Sequence, residues 1–268
     1  MQGMPERTFV YERAEPSGAV HVFDASAMPW EETARPGLRL KTIRVDDAKG
    51  EFLGQIAFDP LVRSGIHQHQ GVATSFVLEG SLTDYHGPVH QNEVGINLLG
   101  STHDAIAYVP TVLVSKLEAP VAYPPRGDMV SGVHAGSFDC AFRNPDPHVA
   151  PEINVAIDAA ARLPTGIAGL TRQLAFDYGG TGLARRLVQW HVRPETEVPA
   201  WRATDWVELW VRGGELQVGG ERVQANCFVV VEPGATVRLA SPFGAIAIVW
   251  AEGEESIGGG SAANLLGF

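Results

Sequence analysis

The chain has 268 residues, of which 45% are hydrophobic and 19% charged, an ordinary balance for one large or two average globular domains. Its formal net charge of −11 argues against nucleic acids and anionic membranes as partners. Residues 1–16 lack the apolar stretch of a signal peptide, and Cys140 and Cys227 form no Cys-x-x-Cys motif. We therefore expect a cytoplasmic protein that has no disulfide framework. We also expect it to act on a small molecule.

Short apolar or alternating stretches, separated by glycine and proline, predict β-strands along most of the chain. In chain order the predicted strands are Gly54–Phe58, Ser75–Glu79, Ser81–Tyr85, Val112–Leu117, Leu187–Val192, Trp206–Val211, Glu215–Val218, Cys227–Val231 and Ala245–Val249. Helical periodicity is weak, and the best helix candidate, Val155–Leu163, is short and precedes Pro164. Many short strands between turn residues indicate an all-β sandwich or barrel.

The sequence also contains an internal repeat at an offset of 134 residues. HQHQGVATSFVLEGSL (67–82) aligns without a gap with WRATDWVELWVRGGEL (201–216). The identities are Val77/Val211, Gly80/Gly214, Leu82/Leu216, Val89/Val223, Asn92/Asn226, Gly100/Gly234 and Thr102/Thr236. Because several of them are turn residues, we interpret the repeat as two copies of one β-fold. We predict a first domain at 1–130, a Pro- and Gly-rich linker at 131–150 and a second domain at 151–268.

Three histidines of the first copy have the pattern of a metal site. Residues i and i+2 of a strand point to the same face about 6.5–7 Å apart, so His67 and His69 can converge on one ion if this segment is extended. On a helix the same spacing would point the two rings apart. His103 follows the turn residue Gly100 in LLGSTHDA, at the start of another expected strand.

These residues resemble the two motifs of the cupin family, G-x5-H-x-H-x(3,4)-E-x6-G and G-x5-P-x-G-x2-H. His67, His69 and Gly80 match the first motif, and Gly100 with His103 matches the end of the second. VLEG and GSTH are similar to the branch that contains the anti-sigma factor ChrR and the hydroxyketone and diketone dioxygenases. The resemblance implies two cupin barrels (double-stranded β-helix jelly rolls) from a duplication, with one divalent metal held in the N-terminal barrel.

The chain departs from the first motif at the glutamate ligand, whose place is taken by Ala73 or Thr74. In the resembling hydroxyketone dioxygenases a carboxylate from the following strand is implied as a ligand, and its place here falls near His86. We therefore predict His86 as the fourth ligand, with Asp84, two residues earlier on the same face, or water as the alternatives. The predicted pocket wall contains Phe76, Leu78, Asp84 and Asn97.

The second copy has lost these ligands. It carries Trp201, Ala203 and Val237 in place of the three histidines, and Glu208 by itself cannot hold a metal. The tryptophans nearby are typical of a barrel filled by its own side chains. We expect the second domain to be structural. Cupin barrels often pair, so the resemblance also makes a homodimer an expectation.

Neutral imidazoles suit iron, zinc and nickel, so the ligands do not choose the metal. A site without a carboxylate ligand is more positive, which favours an anionic bidentate substrate such as an enolate. The resemblance implies an Fe(II) dioxygenase that cleaves a C–C bond of a small ketone, diketone or hydroxyketone, with Zn(II) or Ni(II) as alternative ions.

Two other functional classes stay open. One is a zinc-binding sensor or ligand-binding cupin, and the other is a non-oxidative metal-dependent isomerase or lyase.

Overall fold

The structure, a computed structural model, describes residues 19–124, 143, 146–177 and 186–257. Among these residues it contains β-strands and one short 3-10 helix (Ile157–Ala159), and no helix long or apolar enough to cross a membrane. The candidate helix at Val155–Leu163 is therefore wrong except for that single turn, since Val155 ends a strand and Leu163 begins another. The described residues divide into two compact units, 29–156 and 19–28 with 157–257.

The first unit is a curled set of antiparallel strands. They are β2 (Glu31–Glu32), β3 (Leu38–Asp46), β4 (Glu51–Phe58), β5 (His67–His69), β6 (Ala73–Glu79), β7 (Ser81–Asp84), β8 (Gly87–His90), β9 (Val94–Asn97), β10 (Thr102–His103), β11 (Ile106–Ala107), β12 (Thr111–Leu117), β13 (Val121–Ala122) and β14 (Ile153–Val155). One sheet has the order β14-β9-β6-β12-β4-β3-β2, and two smaller sheets have the orders β10-β5-β13 and β11-β7-β8.

One apolar core fills this first unit. Phe52, Val77 and Leu113 contribute from the large sheet, while Leu82 and Val121 contribute from the two small sheets. The three sheets therefore enclose a single interior, as in a jelly roll. Within β6 the residues in this core are Ala73 and Val77, so odd-numbered positions of that strand face inward.

The second unit repeats the arrangement. Its strands are β1 (Val20–Asp24), β15 (Leu163–Pro164), β16 (Leu170–Asp177), β17 (Arg186–Val192), β18 (Thr196–Ala203), β19 (Val207–Val218), β20 (Glu221–Gln224), β21 (Cys227–Val231), β22 (Val237–Ser241), β23 (Ala245–Ala251) and β24 (Glu255–Ile257). The main path runs β15-β16-β17-β23-β19-β22-β18-β24, and β21 joins β19 to β1. The predicted strands Trp206–Val211 and Glu215–Val218 are one strand, because a register shift between Val211 and Gly213 bends β19 without ending it.

Turn geometry confirms that the two units are copies of one all-β fold. Residues at the offset of 134 share a left-handed backbone: φ is 75° and 76° at Gly80 and Gly214, 69° and 65° at Asn92 and Asn226, and 84° and 77° at Gly100 and Gly234. A Cβ on Gly80 would lie 2.3 Å from the carbonyl oxygen of Pro110, and one on Gly214 would lie 2.1 Å from that of Gly244. At these three pairs of positions both copies adopt the left-handed conformation that glycine takes freely and asparagine tolerates. At Gly80 and Gly214 a neighbouring carbonyl oxygen also leaves no space for a Cβ.

The unit boundaries differ from the predicted domains 1–130 and 151–268 at both ends. Strand β1 precedes every strand of the first unit, yet it pairs with β21 from Val20↔Val231 to Asp24↔Cys227. Strand β14 follows the predicted linker and pairs with β9 of the first unit, from Ile153↔Ile96 to Val155↔Val94. Composition marked the Pro- and Gly-rich stretch but could not show which strands pair across it. Most of the predicted linker, 131–150, lies outside the described residues.

Candidate metal centre

The three motif histidines meet at one point. Strands β5 and β10 are antiparallel neighbours with His67 opposite His103, and His69 lies on the same face of β5 as His67. The Nε2 atom of His103 is 3.1 Å from Nε2 of His67 and 3.2 Å from Nε2 of His69. All three side chains are buried. The His-x-His segment is therefore extended, as predicted. The three rings form a group that could hold a metal ion.

The other ring nitrogens determine where the lone pairs point. Nδ1 of His67 lies 2.7 Å from the carbonyl oxygen of Gly65, which can only accept, so this nitrogen donates and Nε2 carries a lone pair. Nδ1 of His103 donates to Oδ2 of Asp84 at 3.2 Å. When His103 is neutral, its Nε2 also presents a lone pair to the other two rings. Lone pairs this close repel one another unless a proton or a cation lies between them.

The spacing of the donors fits a metal ion. With metal–nitrogen bonds of about 2.1 Å, nitrogens separated as these are subtend about 95–100° at the ion, between the octahedral and tetrahedral angles. Imidazole nitrogens are suitable ligands for divalent iron, zinc and nickel. The residues present therefore fit one divalent ion on His67, His69 and His103.

Two carboxyl groups lie on the far side of His103. Asp84, at the end of β7, has a fully inaccessible side chain, and Glu152, just before β14, is also buried. Oε2 of Glu152 is 3.6 Å from Nδ1 of His103, an ion-pair distance that is too long for a hydrogen bond. Glu152 is not among the predicted site residues, because it lies 49 residues after His103, just beyond the predicted linker, and only the pairing of β14 with β9 brings it here.

Burial and these carboxyl groups separate the pKa values of the histidines. Burial, aided by the nearby His103, lowers the pKa of His67 to about 3, and burial with both neighbouring rings lowers that of His69 well below its usual value. Burial by itself would lower the pKa of His103, but Asp84 and Glu152 outweigh it and raise this pKa to about 9. At neutral pH the ion-free site therefore carries one extra proton, on His103.

The two carboxyl groups respond differently to this environment. Burial raises the pKa of Glu152. For Asp84 burial acts in the same direction, but hydrogen bonds from His103 and from the backbone N–H of His86 outweigh it, so the pKa of Asp84 is lowered. Asp84 is therefore the more acidic of the two carboxyl groups.

The structure does not bring the predicted fourth ligand to the site. His86 is exposed in the turn between β7 and β8, and its backbone N–H donates to Oδ1 of Asp84 at 2.8 Å. The side chain of Asp84, the alternative ligand, does lie at the centre. It contacts Nδ1 of His103 and does not face the Nε2 atoms that would bind the ion. Alternation along β7 predicted that both residues share a face, but β7 ends at Asp84 and the chain turns before His86.

The predicted pocket wall is placed only in part. Phe76 and Leu78 lie on the face of β6 opposite to the inward residues Ala73 and Val77, so they do not face the histidines. Asn97 is buried directly opposite Ala73, and its Oδ1 has no hydrogen-bond partner among the described residues. Ala73, one of the two positions predicted for the missing glutamate ligand, thus faces the interior opposite the Asn97 carboxamide.

The second unit has the same strand pairing without ligands. Trp201 lies opposite Val237 in the pairing of β18 with β22, just as His67 lies opposite His103. Trp201, Ala203 and Val237 are all buried in the apolar core of the second unit. Among the residues that the structure describes, groups of three or more potential metal ligands occur only in the first unit.

Comparisons with known proteins agree with this geometry. Residues 18–121 match the model of the ChrR cupin-like domain. A candidate dioxygenase from Nostoc punctiforme is similar in structure, with a TM-score of 0.68, 10% identity, and coverage of 94% of this chain and 87% of that one. Oxalate decarboxylase from Bacillus subtilis is also similar, with a TM-score of 0.58, 10% identity, and coverage of 88% and 78%. No curated protein matches the sequence. The chain therefore has the fold of a bicupin, a duplicated cupin whose first copy matches the ChrR cupin-like family.

Proposed function

We propose that this protein is a metal-dependent cupin that holds one divalent ion on His67, His69 and His103. The observation that carries the proposal is that Nε2 of His103 lies 3.1 Å from Nε2 of His67 and 3.2 Å from that of His69. Gly65 and Asp84 engage the Nδ1 atoms of His67 and His103 and so direct the Nε2 lone pairs inward. We further propose a non-haem Fe(II) dioxygenase that cleaves a C–C bond of a small ketone, diketone or hydroxyketone. Zn(II) and Ni(II) are the alternative ions, because imidazole nitrogens accept all three.

The chemistry of the donor set supports an anionic substrate. Three neutral imidazoles give the ion no negatively charged ligand, and the inward-facing Ala73, one of the two places predicted for the missing glutamate ligand, cannot supply one. When bound, Fe(II) supplies a redox-active centre able to react with dioxygen. The fold likeness to the candidate dioxygenase supports this class of reaction.

The chain's own residues have distinct tasks in this proposal. Gly65 and Asp84 hold His67 and His103 in the tautomers that present Nε2 inward. Oδ1 of Asn97 accepts a hydrogen bond from a substrate hydroxyl, because it is buried and has no partner among the described residues. The apolar residues packed around this interior exclude water from the reacting groups.

Two other functions each have one observation in their favour. The match to the ChrR cupin-like domain favours a zinc-binding sensor or ligand-binding cupin. The fold likeness to oxalate decarboxylase, whose B. subtilis form contains Mn(II) centres, favours a non-oxidative lyase. The sensor and the lyase would use the same three ligands as the dioxygenase. The three functions are therefore distinguished by the reaction that the protein catalyses and not by its metal site.

Metal content tests the site. Protein produced with iron and zinc both supplied should contain about one ion per chain, measured by inductively coupled plasma mass spectrometry, and a His67→Ala/His103→Ala variant should contain none. The matched control is His90→Ala, an exposed histidine of β8 in the same unit, which should keep the full metal content. Equal metal content in wild type and double variant would overturn the proposed centre.

Oxygen consumption tests the reaction. Iron-loaded wild type should consume oxygen with one member of a panel of β-diketones and α-hydroxyketones, and should be inactive without air. Turnover without air would favour the lyase. A tightly bound zinc ion with no turnover of any ketone would favour the sensor.

A further inference from the structure

Glu152 reaches the centre from outside the family's motif regions. It immediately precedes β14, which adds to the edge of the large sheet beside β9 with Asn154 opposite Gly95. Its side chain is buried, and its carboxyl group forms a cluster with the His103 ring and the Asp84 carboxyl group, in which the potential ligand atoms lie within 4.8 Å of one another. A buried carboxyl group is costly unless it is paired, so this placement needs an explanation.

Gly95 shows that the chain makes room for this carboxyl group. A Cβ on Gly95 would lie 1.7 Å from Oε1 and 2.9 Å from Cδ of Glu152. Gly95 is not among the glycines with positive φ, so its backbone conformation does not require glycine. The missing side chain is therefore explained by the space that Glu152 occupies.

A second contact ties the same part of the chain to the histidine strands. Gln68, between His67 and His69, has its side chain directed at the backbone of Arg143. Nε2 of Gln68 donates to the carbonyl oxygen of Arg143 at 3.3 Å, and the N–H of Arg143 donates to Oε1 of Gln68 at 3.2 Å. Residues 143 and 152 are thus anchored on β5 and on His103, the two elements that carry the histidines.

We propose that Glu152 is a positioning residue of the metal centre: together with Asp84 it holds the ring of His103 with Nε2 toward the ion, so that metal binding and docking of β14 stabilise each other. Carboxylates behind a metal-bound imidazole commonly determine its orientation and basicity. The inference rests on the proposed metal centre and adds a residue to it. Its consequence is that removing Glu152 weakens metal binding although Glu152 does not contact the ion.

Metal affinity measured without turnover tests this role. Zn(II) affinity, from competition with a chromophoric chelator, should fall about 10- to 100-fold in Glu152→Ala, the range expected for loss of a carboxylate behind a ligand. The visible spectrum of bound Co(II) should change as well, because His103 is no longer held in one orientation. Asn154→Ala, at an exposed position of β14 two residues after Glu152, is the matched control and should keep the wild-type affinity and spectrum.

Gly95 provides an independent variant of the same contact. Gly95→Ala should displace Glu152 and lower Zn(II) affinity as much as Glu152→Ala does. In Gly95→Ala/Glu152→Ala the affinity should fall no further, and the stability lost in Gly95→Ala should be partly recovered, because the clash has gone. If Gly95→Ala does not fold, Glu152→Ala and the double variant still decide the question.

Hydrogen exchange tests the coupling to β14. Zn(II) should slow exchange of the Ile153–Val155 amides in wild type and have no such effect in Glu152→Ala. Wild-type Zn(II) affinity and Co(II) spectrum in Glu152→Ala would overturn the inference and leave the metal centre intact. A wild type that binds neither ion would instead overturn the proposed function.

Discussion

The proton on His103 gives the metal centre a defined dependence on pH. Contacts with Asp84 and Glu152 raise the pKa of His103 to about 9, so Nε2 is protonated at neutral pH in the ion-free protein. An ion must displace this proton, whereas His67 and His69 are neutral and have no extra proton to lose. We expect Zn(II) binding at pH 7 to release about one proton per chain, with affinity rising about tenfold per pH unit up to about pH 9.

Isothermal titration in buffers of different ionisation enthalpy measures that proton release. The control is the same titration above pH 9, where His103 is already neutral and little proton release is expected. A pH-independent affinity between pH 7 and 9 would show that His103 is neutral before the ion binds, contrary to the effect of its carboxyl neighbours.

Substitutions of Asp84 and His86 should affect Zn(II) affinity differently, although the two residues are only two positions apart. Asp84 accepts the Nδ1 proton of His103, and His86 is exposed beyond the end of β7. We expect Asp84→Ala to lower Zn(II) affinity about 10-fold or more, and His86→Ala to leave it unchanged. Chelator competition measures both. Loss of metal in His86→Ala alone would restore that residue as the fourth ligand.

At the scale of single elements, β19 shows how glycine shapes a strand that passes from one wall of the barrel to the other. Gly214 has φ of 76° and lies against the carbonyl oxygen of Gly244, whereas Gly213 beside it has open space at its Cβ position. We expect Gly214→Ala to lower the free energy of unfolding by about 2 kcal/mol or more, because both conformation and space are lost. Gly213→Ala should change it by less than about 1 kcal/mol.

Urea denaturation of the two single variants measures this difference. They form a matched pair, since each adds one methyl group to neighbouring positions of the same bend. Equal effects would mean that the bend of β19 adapts to a side chain at either position.

An ion pair joins the 3-10 helix to β19 in the second unit. Arg212 donates from Nη1 and Nη2 to Oδ1 and Oδ2 of Asp158 at 2.7 and 2.8 Å, and this lowers the pKa of Asp158 although partial burial opposes the shift. The pair is half-exposed, so we expect Asp158→Asn to cost less than about 1 kcal/mol at pH 7.

The pH dependence of that cost follows from the lowered pKa. The stabilising contribution of Asp158 is present above the pKa of the unfolded chain and is lost as pH falls through the folded-state pKa. Wild type and Asp158→Asn should therefore converge in stability as the pH is lowered below about 4. Urea denaturation at pH 7 and in acid measures this, and a difference that does not change with pH would contradict the assignment.

At the scale of the whole molecule, the second unit depends on the beginning of the chain. Strand β1 pairs with β21 along its full length, and His21 contacts the buried Glu232 at 3.1 Å. Removing residues 1–28 should therefore destabilise the second unit, although the deleted segment precedes every described residue of the first.

Hydrogen exchange locates the effect of that truncation. Amides of β21 (Cys227–Val231) should lose protection, and amides of β9 (Val94–Asn97), the equivalent strand of the first unit, should keep theirs and serve as the internal control. Equal loss in both strands would mean that the truncation unfolds the protein as a whole.

Features that depend on short stretches of chain could be predicted from the sequence. Each strand pattern, each glycine turn and the His-x-His segment depends on neighbours within a few residues. These local patterns, and their recurrence at a constant offset, predicted the all-β duplication and the three histidines that meet. It also showed that the second copy lacks ligands, because the replacements at 201, 203 and 237 are visible residue by residue.

Features that depend on pairing between distant strands became visible only in the folded chain. Glu152 reaches His103 because β14 pairs with β9, and β1 belongs to the second unit because its partner is β21, about two hundred residues away. His86 shows the same dependence at short range. Alternation predicted that Asp84 and His86 share a face, but the chain turns directly after Asp84, so the alternation does not extend to His86. Periodicity describes a strand's faces, but where a strand ends and which strand lies beside it are set by packing across the whole chain.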